Sequence, residues 1–403
     1  MNIISILFEV LNWILFAYLA ITSLYIFTFA FAGLFPYRKK LPKDNNLRKF
    51  AILIPGYKED EIIVEVCRDA LDQNYPKDKF DVIAIADSYQ VETLAALREL
   101  PIKVIEVSFE KSTKAKALNV AMEVLGDEYE VALVLDADNL MAEDFVSKIN
   151  SVFQSGFKAV QGHRVAKNTD TGFAVLDAIS EEINNHIFRK GARILGLSSA
   201  IIGSGMAFEY SFFKKMMKDV HAIGGFDKEI DLKMCRDGIT IEYLHDAYCY
   251  DEKVTKAEVF QNQRRRWLSA QWVYFKRFFL SSFITLVTKG NIDYFNKAFH
   301  TFLPPRILLL GFMGIIFLLS LFFLPHTIAV SWIILFGVVV LTFFLSIPKK
   351  FYSLKTLNAV LLLPKGFFLM FLSLLKIKGA NKQFLHTKHS STGTNIKDIK
   401  NQN

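Results

Sequence analysis

Three short stretches of this chain gather residue types that do chemistry together. Asp136-Ala137-Asp138 places two carboxylates one residue apart at the end of an apolar run that begins at Val131. Asp87 closes a second apolar run, and Glu59-Asp60 lies just beyond a third. Where extended chain becomes loop, Asp-x-Asp brings two carboxylates near one point. Mg2+ and Mn2+ take oxygen ligands of this kind and complete their shell with water and phosphate oxygens. The chain contains neither GxGxxG nor GxxxxGKS/T. A bound nucleotide would therefore have its phosphates met by a cation and not by a glycine loop. The second stretch, Gly225-Phe226-Asp227-Lys228-Glu229-Ile230-Asp231, holds three carboxylates; acids are also what a helix N-terminus favours. The third, Gln263-Arg264-Arg265-Arg266-Trp267, joins three guanidiniums to an indole. Its plainer reading is an interfacial helix, with arginine on phosphate head groups and tryptophan at the boundary. Asp87, Asp136 and Asp138 have their own plain reading as turn and cap residues. What raises them above it is their order, each at the end of an extended run.

The elements that must position these groups are legible between Asn45 and Gln271. Strands are expected at Phe50–Pro55, Asp81–Ala86, Ile102–Val107, Val131–Asp136 and Lys158–Gln161. Helices are expected at Glu61–Gln73, Val91–Leu100, Thr113–Gly126 and Ala142–Gln154. That alternation implies βαβ units and a mostly parallel sheet. In open sheets of this kind ligands bind beyond the carboxyl ends of the strands, which is where Glu59, Asp87, Asp136 and Asp138 stand. Gly203-Ser204-Gly205-Met206 reads as a tight turn or a close backbone approach. Glu181, Glu182, His186, Arg189 and Arg193 read as a solvated helix face. His386 and His389 lack a spacing that would make them metal ligands.

Both ends of the chain are apolar. From Ile3 to Phe35 the one charged residue is Glu9, enough for one spanning helix of about 20 residues with a lead-in. No basic leader precedes it and it is long for a signal sequence, so an uncleaved anchor is expected. Ile307–Phe323 and Ile328–Ile347 form a hairpin whose linker carries no Lys or Arg, whereas Arg38-Lys39-Lys40, Arg306 and Lys349-Lys350 flank the spans. By the positive-inside bias, the region from about Arg38 to Arg306 faces the cytoplasm. Leu357–Leu375 is cut by Pro364-Lys365-Gly366 and reads as an interfacial or re-entrant segment. Phe275–Phe299, with aromatic and basic residues interleaved, reads as a second interfacial element. The expected units are 1–36 (anchor), 45–271 (α/β domain), 272–300 (interfacial), 301–348 (hairpin), 355–378 (interfacial or re-entrant) and 379–403 (polar cytosolic tail).

Forty-eight Lys and Arg against 40 Asp and Glu give a net charge of +8. The excess clusters at the edges of apolar segments, which points to membrane lipids and not to nucleic acid. The three cysteines, Cys67, Cys235 and Cys249, are too far apart for a zinc motif or a disulfide framework.

In order and spacing these motifs resemble those of the membrane-integrated family 2 glycosyltransferases, the group with cellulose, chitin, hyaluronan and poly-N-acetylglucosamine synthases. The resemblance rests on Ile54-Pro55-Gly56-Tyr57-Lys58-Glu59, Ala86-Asp87-Ser88, Lys114-Ala115-Lys116-Ala117-Leu118-Asn119, Asp136-Ala137-Asp138 and Gln263–Trp267 (QxxRW). It implies a GT-A, Rossmann-like cytosolic domain flanked by transmembrane and interfacial helices. The implied function is inverting transfer from a UDP-sugar donor to a growing polysaccharide or glycan. Tyr57, Glu59, Asp87, Lys116, Asp136 and Arg266 would bind the donor, and Gln263 and Trp267 the acceptor. Asp136 and Asp138 would hold Mg2+ or Mn2+. The implied base is Asp227, then Glu229, then Asp231. Lys58, Phe226 and the absence of a second Asp after Asp87 depart from the family pattern. Two other readings stand: transfer of a single sugar to a lipid carrier, and a non-catalytic glycan-binding or scaffold subunit. About three spans are few for a polymer channel, which an oligomer or accessory subunit would have to complete.

Overall fold

The computed structural model describes residues 3–37, 46–220 and 224–376. The basic cluster at 38–40, the two histidines at 386 and 389 and the tail at 379–403 lie outside these. The described chain runs α1 (Ile3–Ala32), β1 (Phe50–Tyr57), α2 (Ile63–Ala70), β2 (Phe80–Asp87), α3 (Val91–Arg98), β3 (Lys103–Val107), α4 (Lys114–Leu125) and β4 (Val131–Val134). It continues with β5 (Leu140–Met141), α5 (Phe145–Phe153), β6 (Ala159–Ala166), α6 (Gly172–Asn184), a π-helical turn (Asn185–Gly191) and α7 (Ala192–Ile194). Next come β7 (Met206–Glu209), α8 (Tyr210–Met217), α9 (Phe226–Arg236), β8 (Ile241–Asp251), α10 (Ala257–Lys289) and α11 (Ile292–His300). The chain closes with α12 (Arg306–Phe323), α13 (His326–Ser346), α14 (Leu354–Val360) and α15 (Leu363–Leu375).

One eight-stranded sheet, in the order β3-β2-β1-β4-β7-β6-β8-β5, carries the site. Strands β3, β2, β1 and β4 are parallel, as the βα alternation requires. The sheet as a whole is mixed, however, because β7 runs antiparallel between β4 and β6, and β5 antiparallel to β8. These strands escape the periodicity: β7 is four residues long, and the adjacent His245 and Asp246 break any alternation along β8.

Side-chain alternation along β1 explains why both faces are dry. Ala51 and Leu53 enter one core with α4, α8, α9 and α10, while Phe50, Ile52 and Ile54 enter the other with α2 and α5. With both faces buried, the strand tips at the carboxyl edge are where polar groups can reach a ligand.

Among the described residues three helices, within α1, α12 and α13, are long and apolar enough to cross a membrane, and α14 with α15 would make a fourth as one bent span. Leu19, Ile26, Leu309, Met313, Trp332 and Val339 pack the first three together. Pro364 sits in the first turn of α15, where its missing N–H costs no hydrogen bond. The chain instead breaks at Leu361-Leu362, with a bend of 42°. The expected interfacial element Phe275–Phe299 is two pieces: α10 runs unbroken from before Gln263 to Lys289, stops at Gly290 (φ +67°), and α11 follows. The expected boundary at 271/272 thus falls inside one helix.

Candidate active site

The carboxyl edge of the sheet gathers the acids. Asp136, just past β4, and Asp138 lie with Asp251, the last residue of β8, so that one oxygen of each falls within 4.8 Å of the others. Asn139 is the clamp: its amide donates to Asp138 Oδ1 (3.2 Å) and Asp251 Oδ1 (3.3 Å). Its Oδ1 accepts from the Asp136 N–H (3.2 Å) and from the Ser204 hydroxyl. The Glu252 N–H donates to Asp138 Oδ2 at 3.0 Å. Three carboxylates converging within that span suit a hard divalent cation, so the residues fit Mg2+ or Mn2+.

Cations already partner two of the three. Lys114, at the start of α4, bonds Asp136 Oδ1 and also donates to the Gly203 carbonyl at 2.7 Å. Lys253 Nζ lies 2.7 Å from Asp251 Oδ2, and Arg164 3.5 Å from Oδ1. Burial works to raise the Asp251 carboxyl, but Arg164 and Lys253 hold it below the usual carboxylate range. Behind them Glu181 bridges Arg164 (3.0 Å) and Arg189 (2.8 Å). The expectation of a solvated face on α6 is therefore corrected. Glu181 is 6% exposed and Arg189 1%, because they pack beneath β6 and pair with each other.

Sequence reasoning missed Lys114, Asn139 and Asp251. Lys114 is the first lysine of the same Lys-Ala-Lys motif, and helical geometry decides between the two. Lys116 Nζ turns to the Lys111 carbonyl (2.9 Å) and lies on the exposed side, away from the aspartates. Asp251 had no local signal, since its strand was not recognised.

The donor-side candidates cluster at the tips of β1 and β2. Tyr57 and Asp87 are register partners, and the Lys58 N–H donates to the Asp87 carbonyl (3.1 Å). Asp87 is buried and accepts from the Ser88 hydroxyl at 3.0 Å. Glu59 is buried beside them. Lys58 and Ser88 both have positive φ, 55° and 61°, so the two strand tips are held in a strained turn that non-glycine residues rarely adopt.

The three acids of α9 separate cleanly. Glu229 pairs with Lys233 (2.8 Å) and Arg277 (3.1 Å), and Asp231 with Lys297 (3.0 Å). Both are 1% exposed and locked in place. Asp227 makes no ion pair among the described residues. Burial raises its carboxyl above the usual range, against the pull of Lys228 and Lys114. It follows Gly225 (φ +69°) in the first turn of α9. A side chain at Gly203 would come within 3.8 Å of its Cβ and Cγ, and the Gly203 carbonyl is held by the same Lys114 that bonds Asp136.

The QxxRW residues stand on the first turns of α10. Arg264 is buried, pairs with Asp177 of α6, and lies 4.2 Å over the Trp267 ring and 4.8 Å over Phe260. Burial lowers the Arg266 guanidinium. Gln263 Oε1 is buried with no hydrogen-bond partner among the described residues, and Trp267 is 46% exposed.

A parallel sheet extended by an antiparallel strand, with paired aspartates after β4, defines an α/β glycosyltransferase of the GT-A fold. The model of the family described as Glycosyltransferase like family 2 matches residues 48–270, more than half of the chain, and the chain belongs to that family.

Among curated proteins, the chain is similar to the beta-monoglucosyldiacylglycerol synthase of Trichormus variabilis, 26% identical over 245 residues, covering 57% of this chain and 50% of that one. It is also similar to the probable glycosyltransferase YdaM of Bacillus subtilis, 24% identical over 311 residues, covering 73% and 72%. The chain spans about half the length of the glucosyldiacylglycerol synthases it matches. Among solved structures it is similar to the mannosyltransferase PcManGT of Pyrobaculum calidifontis in complex with GDP-Man and Mn2+. The TM-score is 0.48 at 16% identity, covering 80% of this chain and 98% of that one. S. aureus TarS 1-349 in complex with UDP-GlcNAc gives a TM-score of 0.38 at 16% identity, covering 84% and 93%.

Proposed function

We propose that this protein transfers one sugar, with inversion, from a nucleotide-sugar to a hydroxyl of a membrane lipid at the cytoplasmic face. One observation carries the reading. Asp227, a half-buried carboxyl free of any ion pair among the described residues, adjoins the loop that Lys114 ties to Asp136. A base is most useful when its proton affinity is raised toward the working pH, and burial does that here.

In the proposed step the acceptor oxygen attacks the anomeric carbon, Asp227 takes the hydroxyl proton, and the bond from that carbon to the diphosphate oxygen breaks. The departing oxygen keeps the electron pair. A divalent ion held by Asp136, Asp138 and Asp251 would supply charge neutralisation at the diphosphate. Lys114 stands next to that charge, and Arg266 adds a planar donor fork. Tyr57, Glu59 and Asp87 would hold the nucleoside.

A lipid acceptor is supported by how the site meets the membrane helices. Leu268, one residue beyond Trp267, packs with Leu308 of α12 and Met370 of α15, so the acceptor-side tryptophan opens beside the bilayer elements. Three or four spans are few for a polymer channel. Extension of a glycan is the second reading, favoured by QxxRW. The test is product length: purified protein in mixed micelles, given diacylglycerol and labelled nucleotide-sugars, is expected to yield a product with one sugar. Ladders of products would establish extension, and absence of both transfer and donor hydrolysis would leave a scaffold subunit.

A further inference from the structure

A side-chain amide inside a sheet must find a partner there for each polar group it carries. Gln161 of β6 is 0% exposed. Its Nε2 donates to the carbonyls of Gly162 (3.0 Å), Ser204 (2.9 Å) and Gly205 (3.1 Å). Its Oε1 accepts from the Ile202 N–H at 3.2 Å. Carbonyls only accept and an N–H only donates, so these groups fix which end of the amide faces which. Three of the four belong to segment 202–205, which leads into β7. Gly203 (φ +79°) and Gly205 (φ +59°) give that segment a backbone which glycine reaches freely but does not hold by itself.

Segment 202–205 joins the metal side of the site to the base side. The Gly203 carbonyl takes the Lys114 ammonium, which also bonds Asp136. The Ser204 hydroxyl donates to Asn139 and accepts from the Asp136 N–H at 3.3 Å. A side chain at Gly203 would come within 3.8 Å of Asp227 and of the Phe226 ring. One at Gly205 would come within 3.0 Å of Cys249, two residues before Asp251. The two sides thus meet through four residues of backbone. Gln161, with the Gly162 N–H on the Gly205 carbonyl (2.8 Å), fastens that backbone to the sheet.

We propose that Gln161 is a positioning residue for the transfer step: by clamping segment 202–205 it sets the spacing between Asp227 and the metal-binding aspartates. The proposal rests on the nucleotide-sugar reading of this site, with Asp227 as base.

The test is steady-state transfer by the full chain in mixed micelles, beside a Mn2+-dependent UDP titration and a melting curve. Gln161→Glu keeps the length but sets an oxygen against three carbonyls, and Gln161→Met keeps the length without polar groups. Each is expected to lower kcat per folded molecule about 10- to 100-fold, with donor KM and UDP affinity within about threefold of wild type. Affinity holds because Asn139 and the Glu252 N–H fix Asp138 without the segment. Adding Lys114→Ala to Gln161→Met is expected to cost less than the product of the separate losses, since both act at the Gly203 carbonyl.

Wild-type kcat in either Gln161 variant overturns the proposal. So do losses that multiply, or a fall in UDP affinity as large as the fall in kcat, which would mark a merely structural amide. Should neither variant fold, Ser204→Ala carries the test: it cuts the segment from Asn139, and the same fall in kcat at constant UDP affinity is expected, with wild-type kcat overturning the proposal. A wild-type chain that neither binds UDP or GDP with Mn2+ nor transfers sugar removes the underlying reading, as does a fully active Asp227→Asn. Transfer by the wild type with unaltered kcat in the variants removes this proposal alone.

Discussion

Asp251 lies beside Asp138, one oxygen of each within 4.8 Å of the other, although helices α5 to α9 and strands β5, β6 and β7 separate Asp138 from the strand that Asp251 ends. Asn139 fixes the pair by donating to both carboxylates. The metal-binding candidates are thus a product of strand order: β8 returns to the edge of the sheet where β4 ends. Asp138→Ala and Asp251→Asn are each expected to weaken Mn2+-dependent UDP binding about 10- to 100-fold, in the range seen when groups around a metal are changed. The check is a Mn2+ titration of UDP affinity; affinity equal to wild type in Asp251→Asn would take it out of the site.

Asp227→Asn is expected to lower transfer by about 10²–10⁴ while nucleotide affinity holds. The sign for pH follows from the raised carboxyl. A base works deprotonated, so activity falls as the pH drops through a value above the ordinary aspartate range. For stability the direction is opposite. With the folded value above the unfolded one, the folded chain holds the proton longer, and ionisation costs stability as the pH rises between the two. Asp227→Asn is therefore expected to melt no lower than wild type at neutral pH. A pH–rate profile and a melting curve measure both.

Glu229→Gln separates structure from catalysis. It leaves Lys233, mostly buried, with the Asp219 carbonyl but without its carboxylate, and breaking a buried pair costs about 3–5 kcal/mol. The expected result is a lower melting temperature with transfer per folded molecule preserved. Loss of transfer at unchanged stability would move the base from Asp227 to Glu229.

Lys114→Ala and Lys116→Ala read the lysine motif. The first removes the contact to Asp136 and Gly203 and is expected to lower the transfer rate at least about tenfold, as loss of one charged hydrogen bond near a developing charge does. The second changes an exposed side chain and should stay within about 0.5 kcal/mol in stability, with activity unaltered. Steady-state rates of both variants decide it.

Asp177→Asn is expected to loosen Arg264, and with it the stacking on Trp267. A loss of about 1–2 kcal/mol would raise the acceptor KM roughly five- to thirtyfold, with donor affinity unchanged. Trp267 emission should shift to the red as the ring is freed. A fall in kcat alone, at constant acceptor KM, would count against a positioning role.

The sequence by itself determined the βα alternation, the strand tips at Asp87 and Asp136-Ala137-Asp138, the apolar segments and the acid-rich start of α9. Each is encoded by residues close together in the chain, where period and spacing speak directly. Tertiary structure alone decided which acids converge. Asp251 joins Asp138 through an unrecognised strand, and Glu229 and Asp231 are neutralised by Lys233 and Lys297 while Asp227 is left without an ion pair among the described residues. It also decided that Lys114 faces the site in place of Lys116, because a helix turns two successive lysines of this spacing to different sides. Pairing of charges across long sequence separations leaves no local pattern, so only the folded sheet could assign those roles.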